Sequence, residues 1–296
     1  MRYSDWMSYV KDDVTVPKLV MPGAHNAGAY AMHRVGRCQD DDIFTQLMCG
    51  IRHFCVRIDT GRKGELRICH GIAKGVPLKE IFEDFRRFLE QYDDFFILDL
   101  RNYYDQKIGP FTLRFPADPH KVDALIERYL APERYALTDF GSIDDLTVGD
   151  IRKSGKRYLI VNYNAEYRYS VAVPTLLAWD KAFYGALPHR FATKALTMFD
   201  RYDGKGLFWF QTQQTPNFGT EIGFVNPAKL DEMGRRHFGD LIDGIARNPD
   251  YLGKVNVVSG DFMTRDENKV KSILRLNLLK GNIKEESVEI FKEILQ

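Results

Sequence analysis

Leu19-Val20-Met21-Pro22-Gly23-Ala24-His25-Asn26-Ala27-Gly28 is the stretch from which the rest of the chain can be read. An apolar run, Lys18–Met21, reads as a strand. The Pro-Gly pair after it lets the backbone bend sharply and exposes a histidine at the strand's end. The same arrangement returns along the chain. Phe54–Ile58 closes on Arg57 and Asp59, Leu66–Cys69 runs into His70-Gly71, Phe95–Leu100 into Arg101-Asn102, and Val255–Ser259 into Asp261. Tyr158–Asn162 and Leu207–Gln211 are two further runs of strand length. Ionisable residues gathered at one end of several strands are hard to explain as packing, whereas α/β barrels carry their chemistry at the C-terminal ends of their strands.

Between the strands lie amphipathic stretches of helix length: Ile43–Gly50, Leu78–Tyr92, Val122–Leu130, Pro174–Tyr184, Arg190–Asp200, Pro227–Asn248 and Asn268–Leu278. In the second of these, Leu78, Ile81, Phe82, Phe85, Phe88 and Leu89 fall at three- and four-residue steps, with Lys79, Glu83, Arg86, Arg87 and Glu90 on the wet side. Alternating strands and helices predict a parallel sheet with crossover helices, which periodicity alone leaves as either a barrel or an open doubly wound sheet. The polar strand ends choose the barrel. The expected fold is an α/β, TIM-like (β/α) barrel spanning residues 1–296 as one domain, with irregular or incomplete closure allowed.

Composition narrows the function. A net charge of +1 gives no field that would favour nucleic acid. No apolar run approaches the roughly 20 residues of a membrane span, and Asp5, Trp6 and Lys11 stand where a secretory leader would have its apolar core. Cys38, Cys49, Cys55 and Cys69 show no C-x-x-C spacing, so free thiols in a cytoplasmic setting are expected. The 20 Phe and 15 Tyr suit a large core and also aromatic loops that touch lipid.

Three motifs, Pro22-Gly23-Ala24-His25-Asn26-Ala27, Gln46-Leu47-Met48-Cys49-Gly50-Ile51-Arg52 and His70-Gly71, occur in order. They are followed by Ile97-Leu98-Asp99-Leu100-Arg101-Asn102-Tyr103-Tyr104, Gln211-Thr212-Gln213-Gln214-Thr215-Pro216 and Asn256-Val257-Val258-Ser259-Gly260-Asp261-Phe262. This ordered set resembles the catalytic X domain of phosphatidylinositol-specific phospholipase C, and the later motifs resemble its X-domain-only members. The resemblance implies a phosphodiesterase in which an inositol hydroxyl attacks the adjacent phosphate and expels diacylglycerol, leaving a cyclic inositol phosphate.

On that resemblance His25 maps to the general base, His70 to the general acid, Arg57 to the phosphate clamp and Asp261 to the carboxylate that orients His25. Histidine suits both roles because its unperturbed pKa of about 6.5 is near working pH. Asn26 stands where metal-independent bacterial members carry a carboxylate supporting the acid, and Cys55 stands where they carry another. Arg101, Asn102, Asn162, Tyr163, Gln211 and Gln213, with Thr212 and Gln214 beside them, are the expected substrate-binding residues. Calcium-dependent members place carboxylates where this chain has Cys55, Arg57 and Arg101, and hard cations need oxygen ligands. No metal and no cofactor are therefore expected, and the partner is a phospholipid at a peripheral membrane surface. Two alternatives stay open: a glycerophosphodiesterase or sphingomyelinase D-like activity, and a lipid-binding pseudoenzyme with weak turnover.

Overall fold

The computed structural model describes residues 3–61, 63–71, 73–102, 106–108, 111–178, 194–214 and 226–296. Its main sheet is a curled run of eight parallel strands in the order β10-β11-β12-β1-β2-β5-β8-β9. These are β1 (Met21–Ala24), β2 (His53–Thr60), β5 (Phe96–Asn102), β8 (Tyr158–Val161), β9 (Ser170–Val171), β10 (Thr175–Ala178), β11 (Leu207–Gln211) and β12 (Val257–Gly260). The strands are flanked by helices, among them α1 (Ile43–Met48), α2 (Leu78–Gln91), α3 (Pro119–Leu130), α4 (Pro132–Tyr135), α5 (Val148–Ser154), α6 (Pro227–Arg247), α7 (Pro249–Lys254), α8 (Glu267–Leu279) and α9 (Val288–Ile294). β9 and β10 end the sheet on its two sides, with no pairing between them among the described residues. The TIM-like barrel is therefore present but incomplete.

Strand alternation sorts β2 into two faces. Phe54 points outward onto Phe85 of α2, with ring centroids 5.1 Å apart and the planes nearly perpendicular. His53 points inward and lies 4.6 Å from the Trp209 ring of β11. The apolar stripe of α2 predicted from its sequence is buried throughout: Leu78, Ile81, Phe82, Phe85, Phe88 and Leu89.

The first and last parallel strands pair directly, Met21 with Val257 through Ala24 with Gly260. At Gly23 the approach is close, since a Cβ there would stand 2.7 Å from the Ser259 Cβ. The strand begins later than the sequence suggests. Val16–Lys18 forms a 3-10 turn around Pro17, and both backbone groups of Val20 bond to the Asn277 side chain, at 3.0 and 2.8 Å, instead of to a neighbouring strand.

Two expectations are corrected. Leu66–Cys69 lies in β3 (Leu66–His70), which is antiparallel to β2 and pairs with β4 (Ala73–Pro77) in a hairpin lying off the barrel path. The reason is length. Only five residues, 61–65, separate β2 from β3, closed by a bond from Gly61 N to Glu65 O of 2.7 Å, whereas a parallel crossover needs a dozen or more. His70 therefore reaches the site on a hairpin. The expected helix Pro174–Tyr184 begins instead as β10, which pairs in parallel with β11 from Thr175–Leu207 to Ala178–Phe210; its remainder, 179–184, lies outside the described residues. Residues 190–193 of the next expected helix also lie outside, and 194–201 ends in the 3-10 turn Phe199–Arg201. A separate short hairpin, β6 (Gln106–Ile108) with β7 (Phe111–Arg114), follows β5.

The barrel floor is organised by Arg52, which is fully buried. Its guanidinium donates to Asp94 at 2.7 Å and to the carbonyls of Leu47, Ile51 and Ser4 at 2.9, 2.8 and 2.6 Å. Replacing it would strand a buried carboxylate and three carbonyls. Arg52→Ala is expected to lose about 3–5 kcal/mol in urea denaturation, and a loss below about 1 kcal/mol would show that this network does not hold the floor.

Candidate active site

His25 follows β1, Arg57 lies near the end of β2, and Asp261 follows β12. Pairing of the three strands brings these residues to one rim, the C-terminal end of the parallel sheet. Asp261 Oδ1 lies 2.7 Å from His25 Nδ1, and an Arg57 guanidinium nitrogen lies 2.9 Å from His25 Nε2. A guanidinium can only donate, so Nε2 accepts and the single imidazole proton sits on Nδ1, donated to Asp261. The backbone around His25 is held as well. Its N–H donates to Gly260 O at 3.0 Å, and the Gln39 amide donates both to His25 O at 2.8 Å and to Gly260 O at 3.0 Å.

His70 faces His25 with ring centroids 6.3 Å apart and planes at 88°. Its Nδ1 lies 2.8 Å from Gly36 O, a bond that requires the proton on Nδ1, and 3.4 Å from Cys38 Sγ. Asn26, with a left-handed φ of 46°, sends its amide to Cys38 Sγ at 3.5 Å. Asn26 is thus linked to His70 through the thiol, and the direct acceptor of the His70 proton is a main-chain carbonyl.

Burial and positive neighbours set the protonation states. Burial lowers the His25 pKa well below the ordinary value of 6.5, and Arg57 and Arg101 lower it further. Burial, then Arg57 and His25, bring His70 down to about 4. Asp261 is pushed up to about 7 by burial, against the pull of His70 and Lys269. Both imidazoles rest neutral at pH 7.

The expected binding residues divide. Arg101 pairs with Asp99 at 2.9 Å and lies over two aromatic rings, 3.8 Å from the Tyr163 centroid and 4.3 Å from that of Trp209. One of its guanidinium nitrogens is buried without a hydrogen-bond partner. Tyr163 is half exposed beside it. Gln211 accepts from the Gln213 amide at 2.8 Å, while Gln211 Nε2, Gln213 Oε1, both amide atoms of Gln214 and Asn162 Oδ1 are buried and unpartnered. Buried polar atoms without partners are rare enough to point at something they are built to meet. Thr212 is different, its hydroxyl donating to Ser259 O at 2.9 Å. Asn102 donates its amide N–H to Ala117 O and accepts from Ala117 N, each at 2.7 Å, so both polar atoms hold a loop. Asp59 is paired with Arg67 at 3.0 Å, tying the hairpin to β2. Cys55 is fully buried, and all four cysteines are free thiols. Tyr103, Tyr104, Thr215 and Pro216 of the quoted motifs lie outside the described residues.

With this geometry in hand, solved structures can be compared. No family model and no curated protein sequence matches the chain. Among solved structures it superposes on the phosphatidylinositol-specific phospholipase C of Listeria monocytogenes with a TM-score of 0.68 at 15% identity, over 94% of this chain and 99% of that one. A pentafluoro-Phe variant of the Staphylococcus aureus enzyme gives 0.66 at 12% identity, over 93% and 97%. A further Staphylococcus aureus structure, solved in connection with modulation of that enzyme's membrane binding, gives 0.65 at 13%, over 93% and 97%. The fold is that of the bacterial phosphatidylinositol-specific phospholipases C. At such identities the likeness speaks for architecture, and the chemistry has to be argued from the residues in place.

Sequence reasoning missed Gly36, Cys38 and Gln39. They sit on the loop after β1, where no periodic pattern marks them. The only available signal was a cysteine and a glutamine within fifteen residues of a candidate catalytic histidine.

Neutral burial of His70 has a consequence for stability. Its folded pKa of about 4 lies below the unfolded value of 6.5, so its contribution is complete above pH 6.5 and is lost as pH falls through 4. In chelator-treated protein, His70→Gln should flatten the fall in denaturation free energy between pH 6.5 and 4 by up to about 3 kcal/mol. An unchanged slope would show that His70 is not held neutral.

Proposed function

We propose that the protein is a metal-independent phosphodiesterase that cleaves phosphatidylinositol, or a related inositol phospholipid, to diacylglycerol and a cyclic inositol phosphate. One observation carries the reading: two neutral imidazoles from different parts of the sheet face each other across 6.3 Å, with a guanidinium at the lone pair of one of them. Hydrogen bonds of about 2.7–3.2 Å on either side would let one phosphate bridge such a pair.

In this mechanism the phosphate draws Arg57 onto its non-bridging oxygens, which frees His25 Nε2. The inositol hydroxyl next to the phosphate gives its proton to that nitrogen while its oxygen bonds to phosphorus. Asp261, on Nδ1, stabilises the imidazolium that forms. The bond from phosphorus to the glycerol oxygen breaks as His70 delivers a proton to the leaving oxygen. Bound phosphate favours the charged form of His70, because a nearby anion raises the pKa of a cationic acid. The Gly36 carbonyl holds the Nδ1 proton, so the proton that is transferred leaves from Nε2.

Arg101 and the unpartnered amides of Gln211, Gln213 and Gln214 suit the hydroxyls of a polyol head group, with Asn162 and Tyr163 at the mouth. Val35, Phe115 and Tyr163, each 45–51% exposed, lie in loops at the rim and fit contact with a phospholipid surface. No helix among the described residues is long and apolar enough to cross a membrane. Four free thiols suit the cytoplasmic setting, and the reading treats 1–296 as one catalytic unit. Calcium is not invoked, because Asp59 and Asp99, the carboxylates near the rim of β2 and β5, are each neutralised by an arginine. A second reading, a lipid-binding protein with weak turnover, rests on Asn26 and the buried Cys55, which provide no negative charge near the acid.

Purified protein is expected to cleave phosphatidylinositol in a head-group screen, with phosphorus NMR detecting a cyclic product. His25→Ala and His70→Ala should each lower turnover by about 10²–10⁴-fold while circular dichroism stays unchanged. Wild-type activity retained in either variant would refute the acid–base assignment. Activity should also be complete in excess EDTA, and dependence on added calcium would overturn the metal-independent reading.

A further inference from the structure

His25 Nδ1 turns away from the proposed phosphate position toward Asp261, and His70 Nδ1 turns toward Cys38. His25, Cys38 and Asp261 each offer a donor atom, and the three donors lie within 4.8 Å of one another, all on buried residues. His70 Nδ1 lies 3.4 Å from Cys38 Sγ but stands outside this group of three. From these positions we infer a second use of the same residues: a buried Cys-His-Asp site for one thiophilic divalent cation of the zinc class, whose occupation switches the acid–base pair off.

The donor types select the ion. Thiolate and imidazole favour zinc, cobalt or cadmium over calcium and magnesium, which want oxygen. Bonds of about 2.0–2.1 Å to nitrogen and about 2.3 Å to sulfur place tetrahedral donors roughly 3.2–3.7 Å apart. His25 Nδ1 and Asp261 Oδ1, at 2.7 Å, need only part slightly, and the Cys38 sulfur lies within 4.8 Å of a donor of each residue. One thiolate and one carboxylate balance the charge of the dication, which matters with Arg57 on the far side of His25.

Inhibition follows from the tautomers. Loading releases the Cys38 S–H proton to solvent, and Asp261 enters as the carboxylate. The His25 imidazole keeps one proton, which moves from Nδ1 to Nε2 as the metal takes Nδ1. His25 Nε2 then carries hydrogen, so it can neither accept from Arg57 nor take a proton from a hydroxyl. The binding claim stands on geometry alone, whereas the inhibitory consequence rests on the proposed acid–base function.

Cobalt(II) titration of the chelator-treated, full-length protein separates the two. One equivalent should give a thiolate-to-cobalt charge-transfer band in the near ultraviolet, and zinc should displace it. Zinc should also abolish phosphatidylinositol cleavage, with recovery on adding EDTA. Cys38→Ala should lose the band and weaken zinc binding by about tenfold or more, whereas Cys49→Ala should keep both. Cys38→Ser serves as the second variant if the alanine form does not fold. A band or zinc affinity unchanged by loss of Cys38, or no stoichiometric binding, would overturn the site. A cobalt band in a protein that cleaves no inositol lipid would leave the site standing and refute the functional reading.

Discussion

The contact between His25 Nδ1 and Asp261 Oδ1 joins residues 236 positions apart and depends on the seam where the first parallel strand meets the last. That seam is tight because Gly23 has no Cβ to collide with Ser259. Around it, Gln39 bridges the carbonyls of His25 and Gly260, and Asn256 donates to the carbonyls of Val16 and Leu19 at 2.8 and 2.7 Å. Without this pairing His25 would lose its orienting partner, and the proton on its ring would have no fixed position.

Electrostatics at the rim follow from the same enclosure. Burial removes water from two imidazoles and a carboxylate, and Arg57 and Arg101 add positive charge beside His25. Each effect disfavours an imidazolium. A nearby anion would reverse the balance, so the charge of His70 depends on what stands beside it. Arg101 is kept in place for this by Asp99 below it and by the faces of Tyr163 and Trp209.

Much of this was legible in the sequence. Alternation placed His53, Cys55 and Arg57 on one face of β2, and the three-to-four spacing of Leu78 through Leu89 gave the buried stripe of α2. Polar residues at strand ends located His25, Arg57 and Asp261 on one rim. The less legible parts depended on tertiary pairing. β10 was read as helix because Thr175-Leu176-Leu177-Ala178 has no alternation of its own, and only its partner β11 makes it a strand. Asn102 sits at a strand end like Arg101 but faces the backbone of Ala117. Gly36 acts through a carbonyl, a group that every residue carries, so its identity could not advertise the role.

The antiparallel hairpin of β3 and β4 divides the two imidazoles between unlike supports. His25 follows a parallel strand hydrogen-bonded on both sides. His70 rides at the tip of an appendage with a register irregularity between Arg67 and Cys69, moored by Arg67 to Asp59 and by its own ring to Gly36. The gap between the two imidazoles is consequently an adjustable dimension of the molecule. Changes in the length or bulge of that appendage can widen or narrow this gap while the parallel sheet beneath it keeps its pairing.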